Sequence, residues 1–573
     1  MRRIRVAACQ INTRVGDLDH NVEAILNALD TAEAAGADLA VFPELAITGY
    51  PPEDLVLKPG FVEDNRAALG KVAARTGRCV AVIGFVDHDH DLHNAAAVCA
   101  HGEIQTTYRK QLLPNSSVFD ERRYFEPGRP DQVELVTVAG VTVGISICED
   151  AWSADGPIRV QAQAGAELIV NLNASPYHEG KLDVRERMLA TRAADASATL
   201  VYVNQVGGQD ELVFDGASMI FDSEGTLLAR GPQFAESVLV TDIDVRAVFR
   251  KRLLDPRGRT NPPRLPVKAV TDAPGPVTDE VEAIITPALG DAEEVYRALV
   301  LGTRDYVEKN GFTDVVFGLS GGIDSSLCAV IAADAVGAEN VHAVALPSRH
   351  STEHSITDAE ALCDNVGIDL RTIAIESAYA EVLELLAPSF EGHDPDVTEE
   401  NIQGRIRMIV LMGLANKFRR WLVMICGNKS ELAVGYTTVY GVDMAGGFAP
   451  IKDVAKTKVY ELAHWRNSIG DGPVIPEHVL TKPPSAELAP GQLDSDNLPP
   501  YEVLDPILER YVELDHTAAE IVVEGFDAEL VRRITRLVDV AEWKRRQSPV
   551  GVRVTPKAFG KDRRLPITNG YRG

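Results

Sequence analysis

The sequence predicts an α/β protein built from two dissimilar parts that a proline-rich connector joins. Residues 1–250 contain many short apolar runs and a few amphipathic segments, a pattern typical of sheets layered between helices. Residues 289–573 alternate longer helices with short buried strands, which indicates crossover units around a parallel sheet. Six prolines within 253–280 favour an extended connector over 251–288.

Hydrophobic periodicity places the elements within each part. In the first part the strand candidates are Ile4–Gln10, Leu39–Phe42, Cys79–Phe85, Ala95–Cys99, Val141–Ile147, Leu168–Asn171 and Leu200–Val203, and the helix candidates are Asn21–Ala35 and Asp183–Ala196. In the second part the strand candidates are Val315–Gly318, Val341–Leu346 and Leu422–Cys426, and a helical run over 327–333 is followed by Gly337.

Composition excludes several classes of protein. A chain of 573 residues is too long for one ordinary domain, so two or three are expected. A formal net charge of −27 argues against nucleic-acid binding, which needs clustered Lys and Arg. Apolar stretches stay short of the roughly 18 residues that span a bilayer, so no membrane partner is expected. Seven scattered cysteines without CxxC pairs suit reduced thiols in the cytoplasm.

The segment GLSGGIDSSL, residues 318–327, is the most informative motif. It lies between an apolar strand and a helix, where glycines admit a ligand close to the backbone and the helix start offers free N–H groups to an anion. Asp324 adds a carboxylate suited to Mg²⁺ beside phosphates. The segment lacks the lysine–serine pair of a Walker A motif and resembles the SGGxDS loop of ATP pyrophosphatases. That resemblance implies ATP contacts from Gly318, Leu319, Ser320, Gly321, Gly322, Ile323, Asp324 and Ser325.

Three reactive residues of the first part follow apolar strands. Glu44 ends DLAVFPE, Lys110 ends IQTTYRK, and Cys148 ends VTVGISIC. Neighbouring strand ends in one sheet would bring them together, and thioester chemistry needs a thiol, a base and a cation for the oxyanion. Taken singly, each residue has an ordinary alternative: a buried Cys is often core filler, and a charged residue after a strand is usually solvated.

The surrounding blocks FPELAITGYPPEDL, YRKQLLPNSSVFDERRYF, ISICEDAW and NLNASPYHEGK resemble the nitrilase, or carbon–nitrogen hydrolase, superfamily over nearly all of residues 1–240. The resemblance implies an α-β-β-α sandwich with Glu44 as general base, Lys110 as oxyanion stabiliser and Cys148 as nucleophile. Glu121 matches the second carboxylate near that site. In the family, an amide becomes an acyl thioester, ammonia leaves, and water then attacks.

The entire chain resembles the family of glutamine-dependent NAD synthetases, which convert deamido-NAD to NAD. The second part carries the matching segments LPSRHSTEHS, TEENIQGRIRM, GNKSELAVGYTTVYGVDMAGG, FAPIKDVAKTKVYELA and KPPSAEL, and the tail WKRRQSPVGVRVTPKAFGKDRRLPITN. The resemblance implies ATP, deamido-NAD and L-glutamine as small-molecule substrates, Mg²⁺ as the metal, a pyrophosphatase-type parallel-sheet (Rossmann-like) second domain, and a homo-oligomer. It assigns glutamine contacts to Ser116, Ser175 and Lys181, further ATP contacts to Cys426, Lys456 and Ser485, deamido-NAD contacts to Asn401, Arg405, Glu431 and Lys544, and Mg²⁺ ligands to Asp324 and Glu431.

Three positions depart from the family pattern: Ser116 stands where tyrosine is common, Cys426 where threonine often contacts ATP, and His350 in place of an aromatic residue. Without the resemblance, Asn401 and Arg405 read as an exposed helix face and Lys544 as part of a solvated charge run. Two other functions fit parts of the sequence. One is an amidotransferase that adenylates another carboxylate, and the other is a non-catalytic binding protein that kept the fold.

Overall fold

The computed structural model describes residues 3–254, 263–275, 279, 281–470 and 472–571. Its contacts divide the chain into two compact units, one of Met1–Gln209 with Phe214–Leu289 and one of Asp210–Val213 with Gly290–Gly573. The predicted connector falls within the first unit, and its residues 255–262, 276–278 and 280 lie outside the described residues.

The first unit consists mainly of strands. They are β1 (Arg3–Gln10), β2 (Leu39–Val41), β3 (Val80–His88), β4 (Leu92–Ala100), β5 (Glu103–Arg109), β6 (Leu135–Val138), β7 (Val141–Ile147), β8 (Leu168–Asn173), β9 (Thr199–Asn204), β10 (Val206–Gln209), β11 (Leu212–Asp215), β12 (Met219–Phe221), β13 (Leu227–Arg230), β14 (Ser237–Asp244) and β15 (Val267–Ala269). The first two residues of β11 are counted with the second unit. The helices are α1 (Leu18–Ala34), α2 (Pro59–Ala73), α3 (Pro157–Gln163), α4 (Lys181–Ala196) and α5 (Arg246–Leu254).

Two mixed sheets form the centre of this unit. One has the strand order β14-β1-β2-β3-β4-β5, and the other β13-β12-β9-β8-β7-β6-β15. One apolar core contains inward residues of both sheets, such as Val82 and Val170. A second core packs α1 and α2 on the first sheet, and a third packs α3 and α4 on the second. The layers therefore run helix, sheet, sheet, helix, which confirms the predicted α-β-β-α sandwich.

Part of the predicted connector adds to the second sheet. Strand β15 pairs in parallel with β6, with Val267 opposite Leu135. Helix α1 begins before the predicted Asn21 because Asp17 caps it, its carboxylate accepting the N–H of His20. Local capping thus lengthened an element that hydrophobic periodicity had located.

The second unit contains a smaller sheet and more helices. Its strands are β16 (Asp314–Gly318), β17 (Val341–Ala345), β18 (Asp369–Thr372) and β19 (Trp421–Val423). Its helices are α6 (Asp291–Lys309), α7 (Ile323–Val336), α8 (Glu353–Val366), α9 (Glu376–Leu386), α10 (Val397–Lys417), α11 (Lys429–Val434), α12 (Lys456–Asn467), α13 (Glu477–Thr481), α14 (Tyr501–Leu508), α15 (Ala518–Val523), α16 (Ala528–Val540) and α17 (Glu542–Arg545).

The strand order β18-β17-β16-β19 is parallel throughout, which confirms the predicted crossover architecture. Helices α9 and α10 contribute to an apolar core on this sheet, and α14 and α16 contribute to a separate helical core. The chain leaves β16 toward β17 on one side, while β19 lies on the other side. Open parallel sheets bind ligands at such a reversal of strand order, beyond the carboxyl ends of the strands.

Strand β19 ends at Val423, although the apolar run predicted a strand through Cys426. Met424 still donates to the Val316 carbonyl of β16 at 2.9 Å, but it also bridges to Phe448, and Ile425 donates to the Phe448 carbonyl at 2.9 Å. Cys426 consequently lies in the loop beyond the sheet.

Candidate active sites

Cys148 lies in a strained turn at the carboxyl end of β7. Its φ of 42° is in the left-handed region, which a residue with a side chain rarely adopts. Asp150 holds the turn, because one carboxylate oxygen accepts the Ile147 N–H at 2.9 Å and the Tyr108 hydroxyl at 2.7 Å. The other accepts the Leu112 N–H at 2.9 Å. The turn therefore places the thiol just beyond the carboxyl end of β7, an interior strand of the second sheet.

Glu44 reaches the same place from the loop after β2. Gly84 of β3 makes this possible, since a Cβ there would lie 2.4 Å from the Pro43 carbonyl oxygen. One Glu44 carboxylate oxygen accepts the Ala174 N–H at 3.1 Å, and the other accepts the Asn94 side chain at 2.7 Å. The predicted base is thus held on both oxygens.

Lys110 connects the two carboxylates of the site. Its ammonium donates to Glu44 at 2.6 Å and to Glu121 at 2.8 Å, and the side chains of Lys110 and Glu44 are fully buried. Glu121 also accepts the Tyr50 hydroxyl at 2.9 Å. A buried charge needs partners to offset its lost hydration, and here each of the three charges has them.

The buried charges shift one another's proton affinity. Burial raises the pKa of Glu121 to about 7, although Lys110 opposes the shift. Burial alone would lower the pKa of Lys110, but Glu121 and Glu44 raise it well above its ordinary value. Burial, and then the charge of Glu44, raise the pKa of the Cys148 thiol. The resting thiol is therefore protonated and needs a base when substrate arrives.

Sequence reasoning missed the residues that support this centre. Tyr50 and Asn94 both bond to its carboxylates, and Asp150 fixes the turn of the nucleophile. Asn94 is a buried polar residue within the apolar run of β4, and that signal could have identified it. Tyr50 gives no such signal, because its partner Glu121 lies 71 residues away.

The three residues predicted to contact glutamine differ in burial and in position. Ser175 is buried two residues after β8, whose register with β7 puts both strand ends together. Lys181 begins α4, with its ammonium 4.6 Å from the centre of the Trp152 ring. Ser116 lies exposed on a loop, where its carbonyl accepts the Phe119 N–H at 3.0 Å. Its contact with substrate stays a prediction.

The second site surrounds the loop between β16 and α7. Gly321 has a φ of 77°, and a Cβ there would lie 2.2 Å from the Ser355 carbonyl oxygen. The Ser320 hydroxyl accepts the Gly322 N–H at 3.2 Å and lies 3.1 Å from the Ser325 hydroxyl. The loop borders a cavity of about 280 Å³, which the predicted residues Gly318, Leu319, Ser320, Gly322, Ile323, Asp324, Ser325, Cys426, Glu431, Lys456 and Ser485 help to line.

Two carboxylates face one cation in this cavity. The Lys456 ammonium donates to Asp324 and, at 3.1 Å, to Glu431. Asn428 donates to Asp324 at 3.1 Å and caps α11 by accepting the Glu431 N–H at 3.0 Å. Burial raises the pKa of Glu431 to about 7, while Asp324 and Glu431 raise that of Lys456 against its burial. The sequence predicted the two acids as metal ligands but did not predict that Lys456 pairs with them.

This donor set fits Mg²⁺. The part of the chain that the structure describes has no cluster of three or more metal-ligating side chains. Mg²⁺ in nucleotide sites commonly uses one or two carboxylates and takes its remaining ligands from phosphates and water. Asp324 and Glu431 place two carboxylates, the type of oxygen donor that Mg²⁺ prefers, at one point of the cavity wall.

Residues 482–488 form another wall of the cavity. The Ser485 hydroxyl donates to the Gln492 carbonyl at 2.5 Å and accepts the Glu487 N–H at 3.1 Å. Cys426 is partly exposed, lines the cavity and lies next to the buried Cys328. Both residues predicted for ATP therefore border the same space as the glycine-rich loop.

Three of the four residues predicted for deamido-NAD bond to residues 435–439, whereas the carboxylate of the fourth, Glu431, pairs with Lys456. The Asn401 side chain accepts the Thr438 hydroxyl at 2.8 Å, and Arg405 donates to the Val439 carbonyl at 3.2 Å. Lys544 donates to the carbonyls of Gly435 at 2.9 Å and Thr437 at 3.1 Å. Burial lowers the pKa of Lys544, so this lysine is not simply part of a solvated charge run.

Comparison with known proteins agrees with both units. The family model for carbon-nitrogen hydrolases matches residues 5–251, and the model for NAD synthases matches residues 295–548. A solved glutamine-dependent NAD+ synthetase from Acinetobacter baumannii, in complex with ADP, is 40% identical, with 99% of each chain covered and a TM-score of 0.75. One from Cytophaga hutchinsonii is 22% identical with a TM-score of 0.82 over 99% of this chain and 98% of that one, and it supports the fold alone.

The fold and sites define a class: a carbon–nitrogen hydrolase unit followed by an ATP-using NAD synthase unit. The glutamine-dependent NAD(+) synthetase of Thermotoga maritima is 47% identical over 579 residues, covering 100% of both chains. That of Xanthomonas campestris is 46% identical over 100% of this chain and 98% of its own. The chain belongs to the family of glutamine-dependent NAD(+) synthetases.

Proposed function

We propose that the two sites divide the amidation of deamido-NAD to NAD between them. The centre of Cys148, Glu44 and Lys110 releases ammonia from glutamine, and the cavity beside the glycine-rich loop activates deamido-NAD with ATP. One observation carries the proposal: a fully buried lysine joins two carboxylates beside a strained cysteine, in a chain that also has a cavity beside its glycine-rich loop. Its family membership supports the same reaction.

At the first site, Glu44 takes the thiol proton as Cys148 attacks the glutamine carboxamide carbon. Lys110 stabilises the negative oxygen of the tetrahedral intermediate. The intermediate collapses to a thioester, and the amide nitrogen leaves as ammonia after it receives the proton. Water then attacks the thioester with Glu44 as base, which frees glutamate and restores the thiol.

At the second site, the nicotinate carboxylate of deamido-NAD attacks the α-phosphorus of ATP and displaces diphosphate. Ammonia attacks the resulting acyl adenylate, AMP leaves, and the carboxamide of NAD forms. The N–H groups of the loop and the ammonium of Lys456 offset negative charge on the phosphates. Asp324 and Glu431 would hold Mg²⁺, which would neutralise further phosphate charge. The convergence of Asn401, Arg405 and Lys544 on 435–439 supports a dinucleotide contact there.

A product assay tests this reaction. Purified protein receives ATP, Mg²⁺ and deamido-NAD, with either glutamine or ammonium as nitrogen donor. We expect NAD, AMP and diphosphate in equal amounts with both donors, and glutamate with glutamine only. ADP in place of AMP would contradict adenylation. Failure to form NAD with either donor would favour a different carboxylate substrate, or loss of catalysis.

We also propose that the protein acts in the cytoplasm and that it forms a homo-oligomer, as the family resemblance implies. The seven cysteines all lie in the described residues and are free thiols, which suits a reducing compartment. Among the described helices, none is both long and apolar enough to cross a membrane. Light scattering of the purified protein would give its oligomeric state.

A further inference from the structure

A buried ion pair joins helix α4 to strand β11 near the proposed glutamine site. Arg185 and Asp215 have fully buried side chains and form two hydrogen bonds, of 3.0 and 2.5 Å, between guanidinium and carboxylate. The guanidinium carbon also lies 5.6 Å from the centre of the Tyr202 ring. Apolar residues of similar volume can often replace such a pair without loss of stability, so stability alone does not explain it.

The ion pair reaches Ser175 through one intermediate residue. Asn204 donates its side-chain amide to Asp215 at 3.3 Å and to the Gly216 carbonyl at 3.0 Å, which fixes the orientation of the amide. Its carbonyl oxygen then accepts the Ser175 N–H at 2.9 Å. The neighbouring N–H, that of Ala174, donates to Glu44 at 3.1 Å. Two successive N–H groups are thus held, one by the base and one by the ion-pair network.

The same pair reaches Lys181 through helix α4. Lys181 is the first residue of this helix, and Arg185 follows it by four positions, so both lie on one helix face. Asp215 ends β11 and therefore ties the first turns of the helix to the sheet region. Gly180, which precedes the helix, has a φ of 72°, and the ion pair at the fifth helical residue anchors this end of the helix to β11.

We infer that the Arg185–Asp215 pair is a positioning device for the glutamine subsite: it fixes Ser175 through Asn204 and Lys181 through helix α4. This inference rests on the proposed function, because it takes Ser175 and Lys181 as the contacts of glutamine. It assigns neither Arg185 nor Asp215 to the reacting atoms. Loss of the pair should weaken glutamine binding and leave the thiol, base and lysine in place.

The test replaces the pair by apolar residues of similar size, Arg185→Met with Asp215→Leu, and separately removes the bridge with Asn204→Ala. A matched control is Arg5→Met with Asp242→Leu, a second buried pair of the same unit that joins β1 to β14. Steady-state kinetics of glutamine hydrolysis give KM and kcat for each. NAD formation from ammonium reports on the second site in the same preparations.

We expect both changes at the network to raise KM for glutamine about tenfold, as loss of one or two positioned hydrogen bonds would, with kcat within about threefold. The control should keep the wild-type KM, and NAD formation from ammonium should persist in all variants.

A folded double variant with the wild-type KM, or a control with the same rise in KM, would overturn the inference. If the double variant does not fold, Asn204→Ala decides by itself. Absence of NAD formation by the wild-type protein with both donors would count against the proposed function instead.

Discussion

Lys110 donates to both Glu44 and Glu121, so the charge of one carboxylate changes how strongly the ammonium stabilises the charge of the other. The sequence located all three residues and Cys148 because each is reactive and each follows an apolar strand or falls in a recognisable block. It did not locate Tyr50, Asn94 or Asp150, whose role depends on where their partners fold. A residue's own chemistry is visible in the sequence, and its partners are not.

The thiol gives the most direct prediction. Cys148→Ala should abolish NAD formation from glutamine, because it removes the thiol proposed to form the thioester, and should preserve NAD formation from ammonium. The measurement compares both donors in one preparation. Cys99→Ala is a matched control, since Cys99 is a buried thiol of β4 in the same unit, and it should keep both activities. Loss of the ammonium reaction in folded Cys148→Ala would show that the two sites are not separate.

Glu121 gives a pH prediction. With a pKa of about 7, this carboxyl is protonated below pH 7 and charged above it. Once charged, Glu121 offsets part of the positive charge of Lys110, which then stabilises the oxyanion less. We therefore expect kcat/KM for glutamine hydrolysis to fall as the pH rises through about 7. Glu121→Gln stays neutral and should lack this fall. The profile is measured from about pH 5.5 to about pH 9, and an unchanged fall in the variant would assign the titration to another group.

At the scale of elements, the loop between β16 and α7 depends on one glycine. Strand, loop and helix were all predictable, because an apolar run, a glycine pair and a helical run follow one another in the sequence. The sequence could not predict that Gly321 has no room for a side chain, because the obstacle is the carbonyl of Ser355 at the start of α8. Distant backbone therefore decides which of the two glycines tolerates no side chain.

Gly321→Ala should lower NAD formation with either donor by about a hundredfold, the scale of losing one positioned charge stabiliser, because the added Cβ must displace the loop. Glutamine hydrolysis measured by itself should continue. Gly311→Ala is the matched control: its φ is 78°, as strained as that of Gly321, but a Cβ there meets nothing within 4 Å. Equal losses in both variants would attribute the effect to backbone strain and not to the loop.

At the scale of the whole molecule, two compact units each contain one site. Hydrogen exchange can follow them separately. ATP with Mg²⁺ should protect peptides that cover 318–325, 424–431 and 484–488, since these segments line one cavity. Glutamine added to Cys148→Ala should instead protect peptides that cover 148–152 and 173–181. Asp324→Asn is the control, because it should weaken the first pattern and leave the second unchanged.

The sequence by itself determined the α/β class and the change of architecture between the two parts, and it nominated the residues predicted to react, because periodicity and short motifs are local properties of the chain. It did not determine where strand β19 ends, which strand the connector joins, or that Lys456 pairs with both Asp324 and Glu431. Only the tertiary structure decided these, and it also created the network of Arg185, Asp215 and Asn204. Hydrogen bonds and ion pairs act over a few ångströms, so their partners exist only once distant segments have packed together.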